Sequence, residues 1–291
     1  MERKGGPKGV SPRKLLRRET ASTVGLLADV DDYKSIRRYA SFRHAGDHLA
    51  YLRHVEGLLR ALAARGAPVT VALFEPDDFA AYCARRGMDP DSASSRARYT
   101  SQAAAARTSV PYAGQPMDRL LDQLLQEAVR RRSGEHAATL LATAGECTDC
   151  GTHVGRDGFE RASAALAALC ERLDAGIHHV VVSVEDDPEA PLVAAAHVSA
   201  GRITEEEALR LCTVLAAGFV TASPGGLVLR SQATPDTVRA WRVHDSWLEP
   251  MTAAEVFNAY CTDATTGDPI PPEPGVDYAE GWALTPPEEE A

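Results

Sequence analysis

Residues 23–32, TVGLLADVDD, and residues 69–74, VTVALF, decide how the first part of this chain is read. Each is a short apolar run of strand length, and the first closes on Asp31-Asp32. Between them Asp47 caps a predicted helix over His48–Arg65, whose Leu49, Leu52, Val55, Leu58, Leu59 and Leu62 form one apolar stripe. Gly66 stops that helix and Pro68 prevents its continuation. Strand, helix and strand in this order make a β-α-β unit, with a helix long enough for a right-handed crossover between parallel strands.

Working outward, Asp77–Arg86, Asp91–Arg107, Met117–Arg132 and Arg156–Asp174 read as helices. Ala137–Ala144 (AATLLATA) reads as a third strand, its alanines leaving a helix open as the alternative. Ile177–Val184 (IHHVVVSV) is β-branched and shows no alternation, which predicts a strand buried on both faces. Leu192–Val198 reads as a strand, and Thr204 with Glu207 forms a capping box ahead of a helix to about Thr221. Pro224-Gly225-Gly226 then precedes a predicted hairpin, Leu227–Ser231 with Val238–Val243, and Thr252–Cys261 is the last helix. The expected fold is α/β: a mostly parallel, Rossmann-like, three-layer sheet flanked by helices, with a C-terminal α+β extension. The expected organisation is a disordered basic tail (1–21), a parallel α/β core (22–188), an α+β extension packed on it (189–262) and an acidic, Pro-rich tail (263–291).

Composition bounds the function. The 291 residues are 44% hydrophobic and 25% charged, ordinary for a globular protein with a buried core. The net charge of -10 is uneven: Arg3, Lys4, Lys8, Arg13, Lys14, Arg17 and Arg18 crowd the first twenty residues, whereas no Lys or Arg follows Thr262. An acidic body argues against a nucleic-acid partner, which needs clustered cations, and leaves the charged tails as contacts for a protein partner. No apolar stretch approaches the ~20 residues that span a bilayer, so no membrane association is expected. The N-terminus has charge without a following apolar segment, so a cytoplasmic location is expected, with the six Cys reduced.

Acidic residues recur where the predicted strands end. The clusters are Asp29-Val30-Asp31-Asp32, Glu75-Pro76-Asp77-Asp78, Glu146 with Asp149, and Glu185-Asp186-Asp187. On parallel strands all would share the carboxyl edge, where open α/β sheets bind ligands. Asp29, Asp31, Asp77 and Asp186 are therefore candidate Mg²⁺ ligands, since Mg²⁺ takes carboxylates together with phosphate oxygens and water. Acidic residues at helix N-termini also arise simply as caps, so a structural role competes with the catalytic one. Asp29-x-Asp31 resembles, over about eight residues, the first motif of the haloacid dehalogenase phosphatases. That resemblance implies Asp29 as nucleophile and Asp31 as general acid. Position 33 is Tyr where that family has Thr or Val, the second strand lacks a terminal Ser or Thr, and Lys34 follows too soon to match its lysine.

Glu146-Cys147-Thr148-Asp149-Cys150-Gly151 has the spacing of a zinc knuckle, with Gly151 permitting a tight turn. Cys147, Cys150 and His153 are candidate Zn²⁺ ligands, completed from Cys170, His178, His179 or Cys261; a redox pair and unliganded thiols are the competing readings. His44, His48 and His54 read as surface or cap residues, and His178 and His179 point to opposite faces of their strand. No Gly-x-Ser-x-Gly elbow, Walker loop or dinucleotide fingerprint occurs, so no nucleotide cofactor is implied. The expected function is a metal-assisted hydrolase acting on a phosphoester or nucleotide at the sheet edge, with Mg or Zn as cofactor. The alternative is a non-catalytic regulatory or protein-interaction scaffold, zinc-stabilised through Cys147 and Cys150.

Overall fold

The computed structural model describes residues 22–43, 46–66, 68–106, 108–148, 151–187, 190–263 and 266–285. The basic stretch 1–21, together with His44, Asp149, Cys150 and the final acidic run 286–291, lies outside them. The chain divides into two compact units, Met1–Arg131 and Arg132–Ala291.

The first unit opens with β1 (Ser22–Leu26) and a two-turn helix α1 (Val30–Ile36). Helix α2 (His48–Ala63) begins where Asp47 accepts from the Ala50 amide at 2.7 Å and leads to β2 (Val69–Leu73). Strands β1 and β2 are parallel in the register Ser22↔Val69 to Leu26↔Leu73, which is the β-α-β unit read from the sequence. Helix α3 (Pro76–Arg86) carries Pro at its start and ends on Gly87 in the left-handed region at φ 60. After α4 (Ala93–Ala106), β3 (Ser109–Tyr112) adds to β2 antiparallel, giving the sheet order β1-β2-β3. Leu26, Val55, Leu59, Val71, Leu120 and Leu124 form one core cluster; Tyr33, Ile36, Phe74, Phe79, Tyr82 and Tyr99 form a second, aromatic one. Gly25 marks a close approach, because a Cβ there would meet Thr100 Oγ1 at 2.9 Å and Phe74 at 3.0 Å.

The boundary between the units falls within α5 (Met117–Thr143), a single helix of 27 residues. It takes in residues 137–143, nearly all of the segment read as a third strand. Alanine and leucine favour a helix, and the two β-branched residues, Thr139 and Thr143, turn their hydroxyls back onto the carbonyls of Glu135 and Thr139.

The second unit continues with α6 (Val154–Glu171), β4 (Ile177–Val184), β5 (Leu192–Ser199) and α7 (Glu205–Thr221). It then runs through β6 (Gly225–Ser231), β7 (Asp236–His244), β8 (Trp247–Pro250), α8 (Ala253–Tyr260) and β9 (Val276–Tyr278). The sheet order is β5-β4-β6-β7-β8, antiparallel throughout, and β9 adds parallel to β7 over Asp236–Val238. Asp245 and Ser246, both at positive φ, make the two-residue turn between β7 and β8.

These pairings overturn the mostly parallel, Rossmann-like sheet. The described strands form two mixed sheets, and a single parallel pair, β1/β2, answers to the expected topology. Strand β4 is not buried on both faces either. Its residues alternate, with His178, Val180, Val182 and Val184 buried and Ile177, Val181 and Ser183 exposed. The buried face packs on α7 through Leu211, Val214, Leu215 and Phe219. On the opposite face, Val238 and Ala240 are covered by Val256 of α8, with Val276 and Tyr278 of β9 packed alongside.

The stretch read as an acidic tail is tied to this sheet. Trp241 Nε1 donates to the Trp282 carbonyl and Trp247 Nε1 to the Leu284 carbonyl, each at 2.9 Å. Arg239 Nη1 donates to the Glu280 carbonyl, and Leu284 is buried in the main core. Among the described residues no helix is long and apolar enough to cross a membrane.

Candidate functional site

Because β1 and β2 run in the same direction, the residues that follow them leave the sheet at one edge. Phe74 N, just past β2, donates to Leu26 O at the end of β1 at 2.9 Å. Asp29, Asp31 and Asp32 follow one strand and Glu75, Asp77 and Asp78 the other. The carboxylates there have unlike environments.

Asp29 is the N-cap of α1, its Oδ1 accepting from Asp31 N at 2.6 Å and Asp32 N at 3.2 Å. Those amide hydrogen bonds hold its pKa below the ordinary Asp value. Asp31 is exposed and pairs with Lys34 Nζ at 2.7 Å. Asp77, also exposed, accepts from Arg38 Nη2 at 3.0 Å, and the same nitrogen reaches Pro76 O at 3.0 Å. Asp32 differs from all three. It is half-buried, and its carboxylate has neither a hydrogen bond nor an ion pair among the described residues. Burial, and after it the neighbouring carboxylates of Asp29, Asp77 and Asp31, push its pKa up.

The wall beside this edge is aromatic. Tyr51 Oη accepts from Leu27 N at 3.1 Å, and burial pushes its phenol up to about 12. Tyr99 Oη donates to Glu75 O at 3.3 Å, and its phenol is also pushed up to about 12, first by burial and then by Glu75. His48 Nε2 lies 3.0 Å from Leu27 O, so it carries the proton and donates. Tyr33 packs between His48 and Tyr51, with ring centroids at 5.3 and 5.2 Å.

The structure thus brings Asp29, Asp31 and Asp77 to one edge of the first unit. Asp186 belongs to the second unit, where His136 Nε2 contacts its Oδ2 at 2.8 Å. Among the described residues, no group of three or more His, Cys, Asp or Glu side chains is placed to hold a metal ion. Sequence reasoning placed Asp32 in the first acidic cluster without making it a ligand, passed over Arg38 and Tyr51, and read His48 as a surface or cap residue. A signal for Asp32 was available: Asp32 and Ile36 are spaced i,i+4, so the carboxylate shares the helix face that carries a buried isoleucine.

Around the cysteine turn, Cys147 N donates to Thr152 O at 2.8 Å, Gly151 N to Cys147 O at 2.9 Å, and Glu146 bridges His153. Gly151 has φ 73, the tight turn expected of a knuckle, and α6 starts only at Val154. His153 is exposed, and Cys150 lies outside the described residues. Of the other proposed ligands, His178 is buried and contacts Ser231 Oγ at 2.9 Å, and Cys261 is the buried C-cap of α8. Cys170 and Cys212 line an apolar groove of about 420 Å³ between α6 and α7, and burial pushes both thiols up. A raised thiol pKa makes a poor nucleophile. His244 lies 3.3 Å from Asp245 on an exposed turn, and Ser246 of that turn donates its hydroxyl to Phe219 O at 3.1 Å.

Residues 11–115 match a family model described as a domain of unknown function, DUF8829. Of the described elements, the DUF8829 match spans β1 to β3 and so contains the whole acidic edge. No curated protein and no solved structure matches the chain.

Proposed function

We propose that the carboxyl edge of the β1/β2 pair binds a divalent cation of the Mg²⁺ class together with a phosphoester or nucleotide, which the protein hydrolyses. The observation that carries this reading is Asp32: a half-buried carboxylate without a counter-ion, raised in pKa by burial and by the acidic side chains around it. A bound cation is the ligand that such a group lacks. Mg²⁺ needs one or two carboxylates, with water and phosphate oxygens completing its shell, so Asp32 with Asp29 or Asp77 fits it without a three-residue cluster. Lys34 and Arg38 stand at the same edge and offer donors to phosphate oxygens. The ion, when bound, supplies charge neutralisation and a more acidic water.

The test is thermal melting of the full chain with Mg²⁺ or Mn²⁺, alongside hydrolysis of generic phosphoesters. A site filled at about a hundred times its Kd raises stability by about 2.7 kcal/mol, and Asp32→Asn should abolish the rise. Melting that neither ion moves, with no turnover, overturns the reading.

A second reading is favoured by the pairs Asp31–Lys34 and Asp77–Arg38, which employ carboxylates as structural contacts. On it the chain is a non-catalytic regulatory or interaction protein in a reducing, cytoplasmic setting, engaging protein partners through its charged ends. A zinc ion held by Cys147, Cys150 and His153 belongs to this second reading, and metal analysis near one equivalent of zinc is its test.

A further inference from the structure

Three adjacent strands of the second sheet set His178, Ser231 and Thr237 side by side. His178↔Ser231 is a register pair of β4 and β6, and Ser231↔Thr237 is a pair of β6 and β7. Residues paired across antiparallel strands point to the same face, here the one that carries the buried Val180, Val182 and Trp241. At this end of the face the cover thins: His178 is buried, whereas Ser231 and Thr237 are partly exposed.

The contacts around His178 fix which nitrogen carries its proton. Nε2 lies 3.1 Å from Asp174 Oδ1 and 3.3 Å from Asp174 O, and an ionised carboxylate and a carbonyl only accept. Nε2 therefore holds the hydrogen and donates, which leaves the lone pair of the neutral imidazole on Nδ1. Nδ1 lies 2.9 Å from Ser231 Oγ, so the serine hydroxyl donates to it. The serine proton already points at a base, and that base is turned by a carboxylate.

The turn before β4 is shaped to deliver the carboxylate. Asp174 Oδ1 accepts from Gly176 N at 2.7 Å, and a Cβ on Gly176 would meet the same oxygen at 2.6 Å and His178 Nε2 at 3.5 Å. Glycine at 176 thus leaves room for Asp174 to lie against the ring. Ser231 Oγ accepts no hydrogen bond among the described residues, so its lone pairs are open to an electrophile.

We propose that Asp174, His178 and Ser231 form an acyl-transfer site, with Ser231 as nucleophile, His178 as general base and acid, and Asp174 as positioning residue. The substrate class is an ester with a small acyl group, because Ser231 sits at the half-covered end of a packed face. Ser231 Oγ bonds to the acyl carbon as its proton passes to His178 Nδ1. The ester C–O bond breaks, and the alkoxide leaves with that proton. Water then gives a proton to Nδ1 and its oxygen to the acyl carbon. The Ser231–acyl bond breaks, Ser231 regains a proton from Nδ1, and the carboxylic acid is released. Thr237, next in the row, offers its hydroxyl to the carbonyl oxygen as charge develops there. The site lies wholly in the second unit and shares no residue with the acidic edge.

The test is incubation of the full chain with a fluorophosphonate, whose phosphorus Ser231 Oγ attacks with loss of fluoride, followed by peptide mass spectrometry. The adduct should map to Ser231 and be absent there in Ser231→Ala. His178→Gln should slow labelling about a hundredfold or more. Gly176→Ala pushes the carboxylate off the ring while keeping base and nucleophile, so it should slow labelling with the melting temperature held. With p-nitrophenyl acetate as substrate, that loss should fall on kcat and leave KM unchanged. A wild-type chain that takes up no label at Ser231, or one labelled no faster than Gly176→Ala, overturns the site.

Discussion

Both units carry carboxylates beside a sheet and compensate most of them, but the first unit leaves one, Asp32, uncompensated. In the second unit Arg230 holds Asp236 at 3.0 Å and Glu273 at 2.9 Å, while Arg242 holds Glu249 at 2.7 Å and Glu255 at 3.1 Å. Hydrogen bonds from Arg230 lower the pKa of Asp236 and Glu273, and the capping box with Thr252 lowers that of Glu255. In the first unit Asp32 has no such partner, and its pKa moves upward. Acidic side chains therefore do not announce a site by their number. The informative carboxylate is the one whose surroundings disfavour its charge.

The comparison can be broken or sharpened by substitution. The largest effect belongs to the compensated unit's core. Trp241 is 1% exposed, and Trp241→Ala should cost about 3–5 kcal/mol in urea denaturation. Next, Gly25→Ala forces a methyl against Thr100 and Phe74 in the first unit and should cost about 1–3 kcal/mol. Asp29→Ala removes the cap of α1 and should cost about 1 kcal/mol in the same assay.

The smallest effect has the opposite sign. The raised pKa of Asp32 means that the folded chain binds this proton more tightly than the unfolded one, so ionised Asp32 weakens the fold at neutral pH. Asp32→Asn should therefore melt slightly higher than wild type at neutral pH. The gain should vanish as pH falls below about 4, the ordinary Asp value, where both states are protonated. The lowered carboxylates behave in reverse: Asp236→Asn should lose stability above the ordinary Asp pKa, a difference that fades as pH falls through the lower folded value. Melting curves of both variants across pH would defeat the contrast if the two shifts shared a sign.

Local signals in the sequence were readable where one physical cause dominated. Asp47, Thr204 and Thr252 cap helices as their side chains demand, and the parallel β1/β2 pair follows from a helix between two apolar runs. The segment 137–144 was misread as a strand, although its alanines and leucines favour the helix that residues 137–143 form. The helix read over Met117–Arg132 runs on through Gly134, where a Cβ would meet nothing within 4 Å. Strand direction failed for a different reason. Residues 185–191 are too few for a parallel crossover, so their length already argued for the hairpin that joins β4 and β5. At the candidate site, Asp29, Asp31 and Asp77 were visible as acidic turns. The isolation of Asp32 depends on which neighbours lack a cation, and only folded coordinates hold that information.

The attachment of Trp282 and Leu284 to β7 and β8 sets an order of assembly during synthesis. Until the ribosome releases residues through Leu284, the indole N–H groups of Trp241 and Trp247 have no carbonyl to meet, and the β7 edge over Asp236–Val238 stays unpaired. The nascent second sheet thus waits, with two tryptophans unsatisfied, for carbonyls that emerge 41 and 37 residues after them.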